Sequence, residues 1–381
     1  MMKLTAAVKL LPSSEQADIL RETLRRSNAA SNYVSEVAFE ERVFGKHALQ
    51  KLCYHEVKAR FSLSAQAAIQ AIRKVADSYR LDNKTRRTYR KFGSIAYDDR
   101  ILSWRAEISE VSIWTVADPH RQRIAFTCDE RAREMLKNRR GESDLVYRDG
   151  KFYLLATVEV EEPPPGEPED WLGVDLGIAS LATDSDGEAH SGGRVEKSRK
   201  RYERIRSKLQ AAGTKSAKRH LKKLAKRERR MKRDVNHCVS KRLVSKAAGT
   251  NRGISLEDLT GITARTVSNV RRSRRSRHGK WAFGELRFFI EYKARLAGVA
   301  VRTVDPRDTS RACSKCGHCE KTNRKSRDDF VCDSCGHAAP ADANAAVNIG
   351  RRGGFMRPIV AENESVGHAP SDSPAAIPRA L

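Results

Sequence analysis

Five of the eight cysteines lie between positions 313 and 335, and four of them form two Cys-x-x-Cys pairs. Cys313/Cys316 and Cys332/Cys335 are separated by fifteen residues, and each pair continues with Gly-His, as CSKCGH and CDSCGH. That spacing suits a tetrahedral four-thiolate zinc site, with glycine permitting the tight turn of each knuckle. Cys319 offers an alternative pair with Cys316, and His318 or His337 could substitute as ligands, but the matched Gly-His pattern favours the first set. Four thiolates leave no open position, so one zinc here is expected to be structural. Cys53, Cys128 and Cys238 are scattered singly and read as small buried hydrophobes.

Three acids carry a different chemistry. Asp175 interrupts the apolar run LGVDLG, Glu257 ends the run ISLE, and Asp342 opens the alanine-rich ADANAAVNIG. A carboxylate inside an apolar strand is costly unless it is paired or binds a cation. An acid in the first turn of a helix is comfortable with the helix dipole. Asp184 and Asp186 read as turn residues. Asp258 follows Glu257, so strand alternation sends it to the opposite face.

The elements around these acids fall into an order. Residues 171–193 fit three short strands with a tight turn at Ser-Asp-Gly. A long basic helical region (194–249) follows, then a strand (253–259), an Arg-rich loop (271–280), a helix (281–297), a strand (299–305) and a last helix from 341. This is the ribonuclease-H-like α/β layout, in which the three acids meet on one side of the sheet. Oxygen-only ligands in that arrangement would hold two Mg²⁺ or Mn²⁺ ions for phosphodiester hydrolysis. The cysteine pairs then form an insert, 307–338, within a nuclease domain made of 171–306 and 339–352.

The N-terminal part reads differently. MKLTAAVKL alternates as a strand, and Ser13-x-x-Gln16 matches a capping box that opens one or two helices over 14–40. Another helix fits 64–80. Between 93 and 161 the pattern becomes strands, with Asp149-Gly150 marking a hairpin. An antiparallel β-barrel of 1–12 and 93–161, with a helical insert over 13–92, accounts for this. EPPPGEPED marks a linker at 162–170, and 353–381 is expected to be a disordered tail.

Charge suggests the partner. Lys and Arg number 74 against 48 Asp and Glu, a net +26. An excess of this size repels itself and suits phosphate neutralisation. Candidate contacts are Arg86, Arg87 and Arg90 in the basic-aromatic stretch NKTRRTYRKF, Arg271, Arg272, Arg274 and Arg275, and the basic helices at 197–233. Without a secretory start or an apolar run long enough for a membrane span, a cytoplasmic location with no membrane partner is expected.

GVDLGIASLATDSDG, ISLEDLTGI, TSRACSKCGH…FVCDSCGH and ADANAAVNI together resemble the TnpB family, proteins of insertion sequences related to type V CRISPR effectors. The resemblance is strong over 171–350 and weaker before it. It implies an RNA-guided DNA endonuclease with a wedge barrel, a helical recognition insert, and a RuvC-like site of Asp175, Glu257 and Asp342. It also implies zinc on Cys313, Cys316, Cys332 and Cys335. The implied partners are a guide RNA from the element's end and double-stranded target DNA with a short adjacent motif, met in the nucleoid. Asn344 also matches the motif, without an assigned role. A guided binder that does not cut and an RNA-independent resolvase are the alternatives.

Overall fold

The structure, a computed structural model, describes residues 1–177, 180–191, 193–258, 283–326 and 328–355. It divides into two compact units, Met1–Glu162 and Pro163–Leu381.

The first unit is built on seven antiparallel strands in the order β2-β6-β7-β1-β5-β4-β3. These are β1 (Met2–Leu10), β2 (Ile95–Tyr97), β3 (Leu102–Arg105), β4 (Glu110–Trp114), β5 (Arg121–Thr127), β6 (Arg139–Arg148) and β7 (Lys151–Val160). Strand β1 lies centrally, pairing with β7 from Met2 to Lys9 and with β5 at Lys9 and Leu10. The sheet curls into a nearly closed barrel, so that Tyr97 on edge strand β2 donates its hydroxyl to the Trp114 carbonyl at 3.1 Å. Asp149 and Gly150, both with positive φ, make the β6–β7 turn, the geometry that matches strand twist in a two-residue hairpin.

Between β1 and β2 run α1 (Ser14–Glu40), α2 (Lys46–Phe61) and α3 (Ala65–Leu81). A short α4 (Glu130–Leu136) joins β5 to β6. The Ser13/Gln16 capping box is formed in full, and 14–40 is a single helix. Its buried face mixes Leu20, Leu24 and Val34 with Ser27, Asn28, Ser31 and Ser35. Those polar groups pin the segment that follows α3. Ser35 Oγ donates to the Arg87 carbonyl at 2.7 Å, Asn32 exchanges two hydrogen bonds with the Tyr89 backbone, and Asn28 Nδ2 donates to the Gly93 carbonyl at 2.9 Å.

The second unit carries a five-stranded sheet ordered β10-β9-β8-β11-β12. Its strands are β8 (Asp170–Asp175), β9 (Ser180–Asp184), β10 (Ala189–Ser191), β11 (Arg252–Glu257) and β12 (Val301–Val304). The first three form an antiparallel meander, and β11 and β12 add in parallel on the other side of β8. The basic region folds as α5 (Gly193–Ala212) and α6 (Lys215–Gly249), joined at Gly213 with φ +62°. Then come α7 (Phe283–Leu296) and α8 (Ala341–Phe355). No described helix is long and apolar enough to cross a membrane.

Strand alternation sorts the helices onto two faces. Leu172 and Val174 of β8, with Ile254 and Leu256 of β11, share an apolar core with Val239 and Leu243 of α6 and Leu286 and Ile290 of α7. The residues between them face α8. Gly173 approaches α8 so closely that a Cβ there would stand 1.9 Å from the Ala346 carbonyl oxygen. Ser255 Oγ donates to the Ile349 carbonyl at 2.9 Å. Asp175 and Glu257 fall in the same alternation as Gly173 and Ser255.

Two expectations are corrected. Residues 162–170 are not a free linker throughout, since Gly166 N donates to the Gly298 carbonyl and Glu169 N to that of Asn251, and Asp170 already belongs to β8. Gly353–Phe355, expected to open a disordered tail, instead complete α8, where Arg302 donates to the Gly353 carbonyl. Residues 356–381 lie outside the described residues.

Candidate active site and metal centre

Asp175 ends β8, Glu257 ends the neighbouring parallel strand β11, and Asp342 stands in the first turn of α8. Parallel pairing from Arg252↔Asp170 to Leu256↔Val174 brings the first two to one edge of the sheet. Gly177 brings in the third. A Cβ at Gly177 would lie 2.8 Å from the Ser180 carbonyl and 3.8 Å from Asp342 Oδ2, so the β8–β9 turn passes directly beside that carboxylate.

The electrostatics follow from this crowding. Burial, then the Glu257 and Asp342 charges, push the Asp175 carboxyl up to about 7, only partly offset by Arg324 and the Leu176 amide. Burial also raises Glu257, while the Thr309 hydroxyl, which donates to Glu257 Oε1 at 2.5 Å, and Arg352 pull it back. Arg324 stands 4.0 Å from Asp342 Oδ1. A buried carboxyl raised by two neighbouring carboxylates favours a cation beside it. Asp258 turns away, as strand alternation predicts, with its Oδ1 3.5 Å from Arg287 on α7.

The four cysteines converge. Cys313 Sγ lies 3.7 Å from Cys335 Sγ and Cys316 Sγ 3.6 Å from Cys332 Sγ. A tetrahedron with metal–sulfur bonds near 2.3 Å requires sulfurs about 3.8 Å apart, so these residues fit zinc. Each knuckle repeats the same bonds: Cys313 N to the His318 carbonyl and Cys332 N to that of His337, both 2.9 Å. The knuckle glycines, Gly317 and Gly336, take φ +80° and +70°. Burial would raise the Cys313 thiol, but amides from Cys316 and Lys315 outweigh it and hold it down at about 7. Cys319 stays outside the group and is exposed, and His337 Nε2 lies 3.3 Å from Ser314 Oγ instead. Strands β13 (Asp329–Val331) and β14 (Ala338–Pro340) close the module.

Asn344 proves to be a joint. Its Oδ1 accepts from Ser314 N at 2.9 Å and its Nδ2 donates to the Ala312 carbonyl at 2.8 Å. One turn on, Asn348 Nδ2 donates to the carbonyls of Thr309 and Ala312. Both side chains are buried. Two asparagines four residues apart in an apolar helix were the available signal for this role; Thr309 and Arg324 left none.

Other expected residues scatter. Arg86 pairs with Glu36 at 3.1 Å, Arg87 with Asp82 at 3.0 Å, and Arg90 is exposed. Tyr89 and Phe92 pack rather than project, Tyr89 bonding Ser78 and Phe92 meeting Tyr147 edge-on. Arg271, Arg272, Arg274 and Arg275 lie outside the described residues. Asp184 is a turn residue, accepting from the amides of Asp186 and Glu188, but it is also fully buried and paired with Lys246. Asp184, Glu188 and His190 have metal-compatible spacing, yet the Lys246 ammonium already serves Asp184, Asp186 and Glu188.

Two family models match the chain: "Probable transposase" over residues 155–261, which include Asp175 and Glu257, and "Cas12f1-like, TNB domain" over 283–349, which include Asp342 and the four cysteines. The TnpB-like protein MJ0751 of Methanocaldococcus jannaschii is 35% identical over 163 residues, covering 42% of this chain and 57% of that one. The putative RNA-guided DNA endonuclease InsQ of Escherichia coli is 32% identical over 215 residues, 52% and 53% of the two chains. Cas12f1 of Syntrophomonas palmitatica is 30% identical over 190 residues, 45% and 37%. The matches thus span roughly half the length of these relatives. In fold, the chain resembles Cas12f1 from a cryo-EM complex with sgRNA and target DNA, at a TM-score of 0.59 and 17% identity, covering 89% of this chain and 83% of that one.

Proposed function

We propose, for a chain related to the TnpB and Cas12f proteins, that it is an RNA-guided DNA endonuclease with a RuvC-like, ribonuclease-H-like site formed by Asp175, Glu257 and Asp342. The observation that carries this reading is the meeting of three carboxylates at the ends of β8 and β11 and the start of α8, where Glu257 and Asp342 both raise Asp175. The partners are a guide RNA from the end of a mobile element and double-stranded DNA with a short adjacent motif. Sequence would be read by base pairing, with the protein holding the hybrid by shape and charge. In the proposed division of the chain, 1–12 and 93–161 form the wedge, 13–92 the recognition insert, 171–306 and 339–352 the nuclease, and 307–338 the zinc ribbon.

Two divalent cations, Mg²⁺ or Mn²⁺, would supply an activated water and neutralise the leaving oxygen. The chain's own residues prepare for this. Thr309 occupies Glu257 Oε1 and so orients that carboxylate. Gly177 leaves the space beside Asp342 open. Arg324 limits the negative charge on Asp342 in the absence of cations. Cys313, Cys316, Cys332 and Cys335 would hold one structural zinc.

The test is to express the protein with its native flanking DNA, sequence the RNA that copurifies, and supply a matching plasmid and Mg²⁺. Cleavage by the parent and its loss in Asp175→Ala are expected. Parent-like cutting by Asp175→Ala would overturn the site. Binding that protects the target without scission would overturn the nuclease activity. Cutting of a four-way junction without RNA would replace the guided reading with a resolvase.

A further inference from the structure

Helix α7 carries an aromatic side chain that stands largely in solvent. Phe288 is 60% exposed, whereas Phe289 beside it is buried and Tyr292 half-buried. A lone exposed apolar residue is ordinary, but the surroundings of this one are not. Its ring centroid lies 6.1 Å from Phe289 and 5.7 Å from Tyr292. Phe289 in turn stacks on His237 of α6 at 4.0 Å with the planes 17° apart. The rings therefore run without a break from the core to the surface. Lys293 braces them, donating to the His237 carbonyl and Ser240 Oγ at 2.7 Å each. Arg233 lies 5.8 Å from the Phe289 centroid. Arg229, Arg230 and Arg233 are all exposed, and at four, seven and eight residues before His237 they share its helical face.

We propose that Phe288, flanked by Tyr292 and by Phe289 with its stacked His237, is a stacking platform for unpaired bases of a single-stranded nucleic acid whose phosphates meet the α6 arginines. A rigid aromatic face beside cations is the arrangement that holds single strands without reading sequence. A duplex offers the same phosphates but keeps its bases stacked on one another, so Phe288 adds nothing to it. A second copy of the chain is disfavoured as occupant, because a molecule of net +26 would set like charge against like on this basic face. The platform is a binding element, not a catalytic one. It stands on the α6/α7 face of the sheet, opposite the three acids. It shares their edge, because Arg287, the neighbouring residue, reaches Asp258 just after Glu257. That the held strand is one to be cut rests on the nuclease reading; the binding does not.

The experiment uses the full chain without added divalent cation, so that cutting plays no part. Fluorescence anisotropy compares a labelled oligothymidylate of about fifteen nucleotides with a duplex of equal length, for the parent, Phe288→Ala and Phe288→Tyr. The alanine variant is expected to bind the single strand about tenfold more weakly and the duplex as the parent does. Its dependence on salt should be unchanged, because no phosphate contact is removed. The tyrosine variant should bind as the parent. No loss in Phe288→Ala, or equal loss on both probes, would overturn the proposal. Altered sedimentation of the protein with unchanged affinity for both probes would also overturn it, in favour of a self-association surface. A chain that passes these tests but never cuts a guided target would sink the nuclease reading alone.

Discussion

Asp175 is held towards its neutral form by burial and by two neighbouring carboxylates, and its ordinary unfolded value lies near 3.9. With a folded value of about 7, the native state binds more protons than the unfolded chain between those limits. Stability should therefore fall as pH rises from about 4 to 7 and stay low above that. Asp175→Asn removes the charge at nearly constant shape. In urea melts without divalent cation it should exceed the parent by on the order of 2 kcal/mol at pH 8, with the difference vanishing towards pH 4. Mg²⁺ should close the pH 8 gap by stabilising the parent alone. A less stable Asn variant at pH 8 would contradict the crowding described here. Asn344 makes the converse case. Asn344→Ala strands Ser314 N and leaves the Ala312 carbonyl only its bond from Asn348, and should cost about 1–3 kcal/mol. With all four cysteines intact, it should also release zinc faster to a chelator.

At the scale of elements, the face of each residue was more readable than its partners. Asp175 and Glu257 could be placed on one side of a sheet from the order of the elements, and the Gly-His repeats marked the knuckles. Helix α2 escaped notice because only Leu49, Cys53 and Val57 are buried on it, at strict four-residue intervals in a polar sequence. The Lys246 pairing with Asp184 was invisible because 62 residues separate the two. Nor does anything in LGVD announce that Gly173 touches a helix 170 positions later. Gly173→Ala would drive a methyl group into the Ala346 carbonyl and the Gly350 amide, and backbone cannot move aside as a side chain can. It should cost more than about 3 kcal/mol and separate α8 from β8. Circular dichroism melts beside Gly249→Ala, where a Cβ would meet nothing within 4 Å and φ is not positive, separate the clash from the mere loss of a glycine.

At the scale of the whole molecule, charge predicts behaviour that no single contact does. Affinity for any nucleic acid should fall steeply between 50 and 200 mM salt, by about 10³ or more if six phosphates are neutralised; a flat log–log plot would show the basic surface to be idle. The long α6 shows how the charge is carried, with Ala217, Leu224 and Glu228 buried while most of its Lys and Arg remain in solvent. Composition disclosed that excess, but not that Glu228 would be sequestered by Arg206 and Lys232. An oxidant attacks thiolates and spares carboxylates, so a trio of acids is by itself indifferent to peroxide. Here Asn344 and Asn348 suspend the cysteine loops from the same helix whose first turn carries Asp342. Thiol oxidation that expelled zinc would loosen the seat of one acid, and a site with no oxidisable ligand would acquire a sensitivity to oxidants at second hand.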